Sequence, residues 1–356
     1  MSRARGADRR AELRRVSGPV HRIANSRGSW SRREGLLLRV EEDGRVGFGE
    51  ASPLPGYSTD TMVQAEADVR RWIGDGCKEP AAALRSPSAR FAIEVALLDL
   101  RGRRENRPLW RFLGGVESPR PVSVQGLIPP SDPEETLATT VQWFERGLCT
   151  FKLKVGPDPE AERRRLEILR REFADRIQLR LDANRSLTGM RAEECLAAWS
   201  TFGVEWIEEP CETPGPIDSP IPLAFDESLR EPEMAADGWR ALGSWVRRAP
   251  YVALVLKPTV LGLDASLMLA RLAREAGLEV VVSHTFEGPV AFQACAHLAL
   301  AAGTSRACGL CRHSGLDAWP RVNGLLVGEV AVDPQRRAGA GLGLDGEAIW
   351  RMAGSR

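Results

Sequence analysis

The sequence predicts an α/β fold, a modified (β/α)7-8 TIM-type barrel with an α+β capping domain. After residue 120, short apolar runs alternate with stretches of helical periodicity, as repeated βα units do. Charged residues follow these runs at strand-to-strand intervals, and the first third of the chain has a different pattern. At 356 residues the chain is long enough for a barrel with a smaller domain attached.

The capping domain is predicted over residues 16–120, after a disordered basic tail of residues 1–15. Two alternating runs between Gly35 and Glu50 flank the turn signal Glu42-Asp-Gly44 and predict a β-hairpin. Two helices are expected next, Thr61 to Ile73 and Ser88 to Arg103, with Ser58 and Ser86 or Ser88 as N-cap candidates.

The barrel is predicted over residues 121–322. Strands are expected near residues 122, 150, 177, 204, 222, 252, 280 and 307, which gives seven or eight βα units, the number that closes a barrel. The active face is then formed by the carboxyl ends of the strands. Residues 323–356 are turn-rich and short of helical periodicity, so we expect this segment to return to the cap.

The composition limits the classes of partner and the compartment that the protein is expected to have. Lysine and arginine number 49 and aspartate and glutamate 48, so a small-molecule substrate fits better than nucleic acid. The longest apolar stretch, Val290 to Ala302, falls short of the roughly 20 residues of a membrane helix. Seven scattered cysteines form no disulfide framework, which favours the cytoplasm. The sequence leaves open whether the protein forms a homo-oligomer.

Two lysines alternate near the end of the run Cys149 to Val155. Strand side chains alternate faces, so Lys152 and Lys154 point the same way, towards the barrel mouth. Neighbouring ammonium groups lower each other's pKa, and a lysine that loses its charge readily can act as a general base. Lys154, nearer the strand end, is the better candidate. The alternative is a pair of surface lysines on an edge strand.

Three carboxylates follow the next strands, Asp182, Glu208 and Asp226. Converging carboxylates repel one another unless a cation neutralises them, and oxygen ligands suit Mg²⁺, with Mn²⁺ as a substitute. Glu209 and Glu227 stand beside two of these acids. Because strand side chains alternate, we assign the first acid of each pair to the metal. Each acid taken singly could instead be a helix N-cap.

A third lysine, Lys257, follows the apolar run Val252 to Leu256 and precedes a proline that ends the strand. In a parallel barrel it lies across the metal site from Lys154. A dication and a lysine can together hold the negative charge of an enediolate, so this arrangement predicts proton abstraction next to a carboxylate.

These residues resemble those of the enolase superfamily, in its muconate-lactonizing-enzyme-like branch, and are most similar to the o-succinylbenzoate synthase family. The likeness runs over most of the chain. The segments that carry it are Gly49-Glu-Ala-Ser-Pro-Leu-Pro-Gly-Tyr-Ser58, Lys152-Leu-Lys-Val-Gly156, Leu179-Arg-Leu-Asp-Ala-Asn-Arg185, Ile207-Glu-Glu-Pro-Cys211, Phe225-Asp-Glu-Ser-Leu-Arg-Glu-Pro232, Leu256-Lys-Pro-Thr259 and Ser314-Gly-Leu-Asp317.

The resemblance implies a Mg²⁺-dependent syn-dehydration of 2-succinyl-6-hydroxy-2,4-cyclohexadiene-1-carboxylate to 2-succinylbenzoate and water, in menaquinone biosynthesis. It makes Lys154 the base that removes the proton beside the ring carboxylate and returns it to the departing hydroxyl. Lys257 would stabilise the enediolate, Lys152 would tune Lys154, and Arg180 would assist in the site. Cap loops at residues 26–33 and 54–58 would close over the succinyl arm.

Substrate contacts are expected from Ser283, Thr285 and Asp317. The first two lie in Ser283-His-Thr-Phe-Glu-Gly-Pro289, which departs from the serine-rich run of many relatives. Within it we expect a polar or structural role for His284, and a second acid is the alternative. Cys308-Gly-Leu-Cys311 has metal-site spacing without the remaining ligands and is expected to be structural.

Two rival functions stay open. One is racemisation of N-acylamino acids or epimerisation of dipeptides, in which Lys154 and Lys257 act on opposite faces of an α-carbon. The other is a binding protein that kept the barrel without turnover. Retention of all six charged positions argues against this second alternative.

Overall fold

The computed structural model of the chain describes residues 9–25, 28–114, 119–212, 218–231, 239, 242–247, 249–322, 325–334 and 340–353. The strands are β1 Arg10–Asn25, β2 Gly28–Glu42, β3 Arg45–Ala51, β4 Val122–Ser123, β5 Gly126–Ile128, β6 Thr150–Lys154, β7 Gln178–Asp182, β8 Val204–Glu208, β9 Leu223–Phe225, β10 Tyr251–Leu256, β11 Glu279–Val282 and β12 Ala331–Val332. The helices are α1 Met62–Gly74, α2 Pro87–Glu105, α3 Pro133–Glu145, α4 Pro159–Phe173, α5 Gly189–Trp199, α6 Leu242–Val246, α7 Pro258–Leu261, α8 Leu263–Glu275, α9 Pro289–Ala302 and α10 Gly346–Ala353. None of these helices is long and apolar enough to cross a membrane.

Seven strands form one parallel sheet in the order β11-β10-β9-β8-β7-β6-β5. Two residues beyond α9 lie between the edges of this sheet. The amide of Gln125, which directly precedes β5, donates to the Cys308 carbonyl at 2.9 Å, and the Gly309 amide donates to the Val282 carbonyl of β11 at 2.9 Å. The segment expected near residue 307 therefore closes the sheet into a barrel, and the predicted fold class is confirmed.

The alternation of side chains along β6 decides which residues enter the barrel. Phe151 and Leu153 are fully buried outside it, in the core that includes Leu166 and Leu169 of α4. Lys152 and Lys154, between and after them, point to the interior. The same period of two places the charged end of each neighbouring strand inside the barrel.

The strand expected near residue 122 is two short strands. β4 pairs antiparallel with β12 from the C-terminal segment, whereas β5 pairs parallel with β6 in the barrel. The C-terminal segment also contains α10, where we expected no periodic helix. Arg14 of β1 donates to the Trp350 carbonyl at 2.5 Å, and its guanidinium lies 4.2 Å from the centroid of the Trp350 ring.

The cap is a three-stranded antiparallel sheet with α1 and α2 beside it. The predicted hairpin is confirmed, with Glu42 opposite Arg45 at its end. Ser86 caps α2 as expected, but Thr61 and not Ser58 caps α1. The Ser58 hydroxyl instead accepts the Leu54 amide at 2.9 Å.

The predicted boundary of the basic tail is wrong for residues 10–15, because β1 begins at Arg10 and pairs along β2. Its arginines are held by partners outside the strand, for example Arg15 by Glu66 at 2.7 Å. Residues 1–8 lie outside the described residues. The wider division into cap, barrel and C-terminal segment stays a prediction.

The cap lies over the carboxyl ends of the barrel strands. The indole of Trp319 fills the space beside two glycines. A Cβ atom added to Gly35 of the cap would lie 2.4 Å from this ring, and one added to Gly288 would lie 2.1 Å from it. Glu50 of β3 accepts the Gly288 amide at 2.5 Å and the Val290 amide at 3.1 Å. Cap residues therefore hold the loop between β11 and α9.

Candidate active site

Three carboxylates meet where β7, β8 and β9 end. Asp182 and Glu208 are the last residues of their strands, and Asp226 follows the last residue of β9. The strand register sets Asp182 directly beside Glu208. One carboxylate oxygen from each acid lies within 4.8 Å of the others, and all three side chains are buried.

Two of the predicted lysines approach this group from β6. Lys154 Nζ lies 2.6 Å from Asp182 Oδ2 and donates to Asn184 Oδ1, also at 2.6 Å. Lys152 Nζ lies 2.7 Å from Glu208 Oε2 and 2.8 Å from Asp182 Oδ2. Asp182 is therefore shared between the two ammonium groups.

The environments of these two lysines separate their pKa values. Burial lowers the pKa of Lys154, and the charges of Lys152 and Lys257 help to keep it below the ordinary value despite Asp182. Burial also acts to lower the pKa of Lys152, but Asp182 and Glu208 outweigh it and raise the pKa above its ordinary value. Of the two, Lys154 therefore has the lower pKa, and its role as the base stays a prediction.

Lys257 reaches the carboxylates from the other side, from the turn after β10. Its Nζ contacts Asp226 Oδ2 and donates to the Tyr57 hydroxyl at 2.5 Å. The Tyr57 hydroxyl in turn donates to Asp226 Oδ1 at 3.3 Å. Burial acts to lower the pKa of Lys257, but Asp226 and Glu227 raise it overall. Lys257 is therefore favoured as a fixed positive charge.

An inner cavity of about 60 Å³ lies at this point. We name it by six of its lining residues, Lys152, Lys154, Lys257, Ser283, His284 and Thr285. An outer cleft of about 720 Å³ adjoins it and shares the side chains of Leu127, Lys154, Asn184 and Phe286. Lys154 borders both spaces.

The expected substrate contacts separate into two groups. Ser283 and Thr285 line the inner cavity. The Thr285 hydroxyl lies 2.7 Å from that of Thr259 and donates to Glu287 Oε2 at 3.0 Å. Asp317 does not belong to the cavity, and its assignment as a substrate contact is wrong for this structure. It is exposed on the turn Ser314–Ala318, because Ala318 and Trp319 occupy the buried side.

Arg180 lies one layer below the carboxylates and does not line the inner cavity. It donates to Gln125 Oε1 and the Ala307 carbonyl, each at 2.6 Å, and pairs with Glu205 at the same distance. Its guanidinium also lies 3.9 Å from the centroid of the Trp206 ring. Assistance to the site would therefore pass through Gln125, which does line the cavity.

The remaining acids of the motifs have supporting positions. Glu209 accepts the amides of Asp226 and Ser228 at 2.9 and 3.0 Å, which fixes the end of β9. Glu227 accepts from the Asn184 side chain at 3.0 Å, and burial raises its pKa to about 7. The metal assignment of the first acid in each pair agrees with this geometry.

Sequence reasoning did not assign Tyr57 and Asn184. Asn184 had a signal, because it alternates with Asp182 and lies on the same side of the chain. Tyr57 lies in the loop 54–58 that the resemblance placed over the substrate, but nothing in this segment indicated its contact with Lys257, which is 200 residues away. The pair Cys308 and Cys311 consists of free thiols, and Cys308 Sγ accepts the Val282 amide at 3.3 Å.

The three carboxylates fit a divalent metal ion. Glu208 Oε1 is buried and has no hydrogen-bond partner among the described residues. A buried carboxylate oxygen without a partner is costly, and an ion bound between the acids would satisfy it. All-oxygen ligation by carboxylates is what a hard cation such as Mg²⁺ prefers.

Comparison with known proteins gives the family. Residues 135–348 match the profile described as "Enolase C-terminal domain-like", and residues 11–100 match "MenC, N-terminal domain". An o-succinylbenzoate synthase of Klebsiella pneumoniae is 29% identical over 280 residues, 75% of this chain and 79% of that protein. An L-Ala-D/L-Glu epimerase of Clostridium acetobutylicum is 27% identical over 292 residues, 74% of this chain and 77% of that protein.

Among solved structures, the N-succinyl Arg/Lys racemase from Bacillus cereus matches with a TM-score of 0.80 at 20% identity, covering 96% of this chain and 98% of that one. At this identity the match concerns the fold alone. The first profile spans more than half of the chain and includes all three carboxylates and both lysine segments. The chain therefore belongs to the enolase superfamily of enzymes.

Proposed function

We propose that the protein catalyses the o-succinylbenzoate synthase reaction, the syn-dehydration of 2-succinyl-6-hydroxy-2,4-cyclohexadiene-1-carboxylate. The observation that carries this proposal is the lining of the inner cavity. It contains three lysines and neutral groups, and no carboxylate is among its described lining residues. The positive charges of this cavity suit a carboxylate, whereas a free ammonium group placed in it would find no partner in this lining.

Similarity to known proteins, above all in the cap, supports the same choice. The N-terminal profile named after MenC covers most of the cap, and several curated relatives at 28–29% identity are o-succinylbenzoate synthases. The cap brings Tyr57 to Lys257, so this part of the chain contributes directly to the site.

In the proposed reaction Lys154 acts first as a base. Its neutral amine takes the proton from the ring carbon that bears the carboxylate, and the electron pair enters the enediolate. The resulting ammonium group then donates this proton to the departing hydroxyl as the C–O bond breaks. Water leaves and the ring becomes aromatic, so one side chain on one face suffices for a syn-elimination.

Lys257 holds the negative charge that develops on the carboxylate side. Its contacts with Asp226 and the Tyr57 hydroxyl fix the ammonium group before the reaction, which avoids the cost of reorienting it. Lys152 keeps its charge and disfavours a proton on Lys154. When bound to Asp182, Glu208 and Asp226, Mg²⁺ would supply Lewis-acid stabilisation of the same carboxylate.

A second candidate is racemisation of N-acylamino acids. The lining of the cavity permits it, because acylation removes the ammonium group of the amino acid. The lysines on both sides of the three carboxylates also permit it. Racemisation would need both Lys154 and Lys257 to exchange protons with the α-carbon, whereas the dehydration needs proton transfer by one lysine only.

The test mixes purified protein with Mg²⁺ and the cyclohexadiene substrate and follows loss of the diene absorbance. We expect rapid loss with wild type and at least a 100-fold lower rate with Lys154→Ala, in line with the contribution of a general base. Lys78→Ala is the matched control, because Lys78 is exposed in the cap. Absence of turnover by a folded, Mg²⁺-binding protein would contradict the proposal, and α-proton exchange of N-succinylamino acids in deuterated water would then be measured.

A further inference from the structure

We propose that His284 determines specificity for the acyl arm of the substrate by donating a hydrogen bond from its Nε2–H to a carbonyl oxygen of that arm. This inference rests on the proposed function and names the residue that would recognise one part of the substrate. The His284 side chain is half-buried and lines the inner cavity beside Ser283 and Thr285. It has no role in the proton transfers assigned above.

The tautomer of His284 is set by its own loop. The Phe286 amide points at His284 Nδ1, with 3.3 Å between the two nitrogens. A backbone amide can only donate, so Nδ1 must present its lone pair. The proton of the neutral ring is then on Nε2, and the ring offers one donor.

The charges around His284 favour a neutral ring. Burial lowers its pKa to about 3, and the positive charges of Lys152 and Lys257 act in the same direction. A further cation beside these lysines would be repelled by them, whereas a neutral N–H can donate without that penalty. His284 therefore adds recognition of an oxygen where charge is already supplied.

Neighbouring rings hold the imidazole in place. The His313 ring lies 4.0 Å from it between centroids at an angle of 34°, and the Phe286 ring lies 5.0 Å from it at 66°. Both ring nitrogens of His313 are buried and have no hydrogen-bond partner among the described residues, so His313 acts here as a packing surface. A donor held this firmly loses little freedom when it binds an acceptor.

The position of His284 selects which oxygen it meets. His284 follows β11, the strand that pairs with β10, and the amide of the preceding Ser283 donates to the Leu256 carbonyl at 2.8 Å, next to Lys257, which places His284 on the Lys257 side of the cavity. The departing hydroxyl must lie on the Lys154 side in a syn-elimination. The ring carboxylate belongs to the carboxylate and metal site. The acceptors that remain are the oxygens of the acyl arm, and we assign the ketone oxygen because the ketone is attached directly to the ring.

The test compares two ligands in Mg²⁺-loaded protein, 2-succinylbenzoate and benzoate, which lacks the acyl arm. His284→Phe keeps a ring against His313 but has no donor, and His284→Gln restores an N–H near the position of Nε2. We expect His284→Phe to weaken the binding of 2-succinylbenzoate about tenfold and the binding of benzoate less than twofold. His284→Gln should recover most of the loss, and KM should rise in His284→Phe more than kcat falls.

The inference would be overturned if His284→Phe left the ratio of the affinities for 2-succinylbenzoate and benzoate unchanged. Because this readout is binding, it is independent of turnover, and normal synthase activity with an unchanged ratio would leave the proposed function standing. Nitrogen-15 NMR gives a second measurement, since the chain has only four histidines and His284→Phe assigns the signal. A proton on Nδ1, or a charged ring at neutral pH, would also overturn it.

Discussion

Substitution of Gly288 by alanine should disrupt the contact that fixes the β11–α9 loop to the cap. A Cβ atom at this position would lie 2.1 Å from Cε2 and 2.4 Å from Cδ2 of Trp319. Carbon atoms in contact prefer about 3.5–4.0 Å, so the two must separate by about 1.5 Å. The indole cannot retreat easily, because its Cζ2 atom, which is bonded to Cε2, lies against Gly35, where a Cβ atom would be 2.4 Å away.

We expect Gly288→Ala to lower the free energy of unfolding by about 3 kcal/mol, the upper part of the range for overpacking. At about 2.1 cal/mol/K per residue, a chain of 356 residues has an unfolding entropy of about 0.75 kcal/mol/K, so Tm should fall by about 4 °C, measured by calorimetry. The KM of the substrate should rise as well, because Ser283, His284 and Thr285 precede the displaced glycine in the same loop.

Gly74→Ala is the matched control. Gly74 ends α1, and no heavy atom lies within 4 Å of a Cβ built there. Its Tm should stay near that of wild type or rise slightly, because alanine is the better helix former by about 0.5–1 kcal/mol. The double variant Gly288→Ala/Trp319→Leu should lose at least 1 kcal/mol less than the sum of the single variants. Additive losses, or a Gly288→Ala protein as stable as Gly74→Ala, would refute the steric argument.

Three further predictions concern the charged site. Lys154→Arg keeps a cation but cannot lose its proton, so kcat should fall about 10²–10⁴-fold in the absorbance assay, and retention of activity would exclude Lys154 as the base. Because Lys154 must be neutral to act, kcat/KM should rise with pH through an inflection below the ordinary lysine value of about 10.4, and Lys152→Met should move that inflection to higher pH by removing a neighbouring cation. Mg²⁺ at about 100 times its Kd should stabilise wild type by about 2.7 kcal/mol, a shift that Asp226→Asn loses and Lys78→Ala keeps in thermal unfolding.

The charged part of the site was predictable because two simple regularities specify it, the alternation of side chains along a strand and the register of parallel strands. The strand period of two sets Lys152 and Lys154 on one side, and the parallel register then sets Lys154 beside Asp182 and Asp182 beside Glu208. Each of these facts follows from residues within one strand and from the common direction of the strands. No contact between distant segments had to be known.

Contacts between cap and barrel were not predictable in this way. Tyr57 reaches Lys257 only because the cap lies over the strand ends, and no periodicity in either segment encodes that orientation. The error at Asp317 has the same origin. Asp317 was expected as a substrate contact, but the large Trp319 nearby takes the buried place against Gly35 and Gly288 and leaves Asp317 outside.

The missed strand β1 shows where composition misleads. Arginine is dense between residues 9 and 15, which is typical of a frayed tail. In the structure this segment is an edge strand, and edge strands tolerate charge because one side faces solvent. Arg15 and Arg14 find Glu66 and the Trp350 carbonyl, partners that lie in other parts of the chain.

The distribution of basic residues argues that proton transfer, and not charge alone, is required at this site. Almost every basic residue of the chain is arginine, including Arg33 and Arg180, which are buried at 1% exposure and serve as structural donors. The chain has only four lysines, and three of them line the inner cavity, namely Lys152, Lys154 and Lys257. Arginine would supply the same positive charge but cannot release a proton in a protein. A cavity that only bound an anion could use arginine like the rest of the chain. The presence of lysine there therefore favours an enzyme over a binding protein.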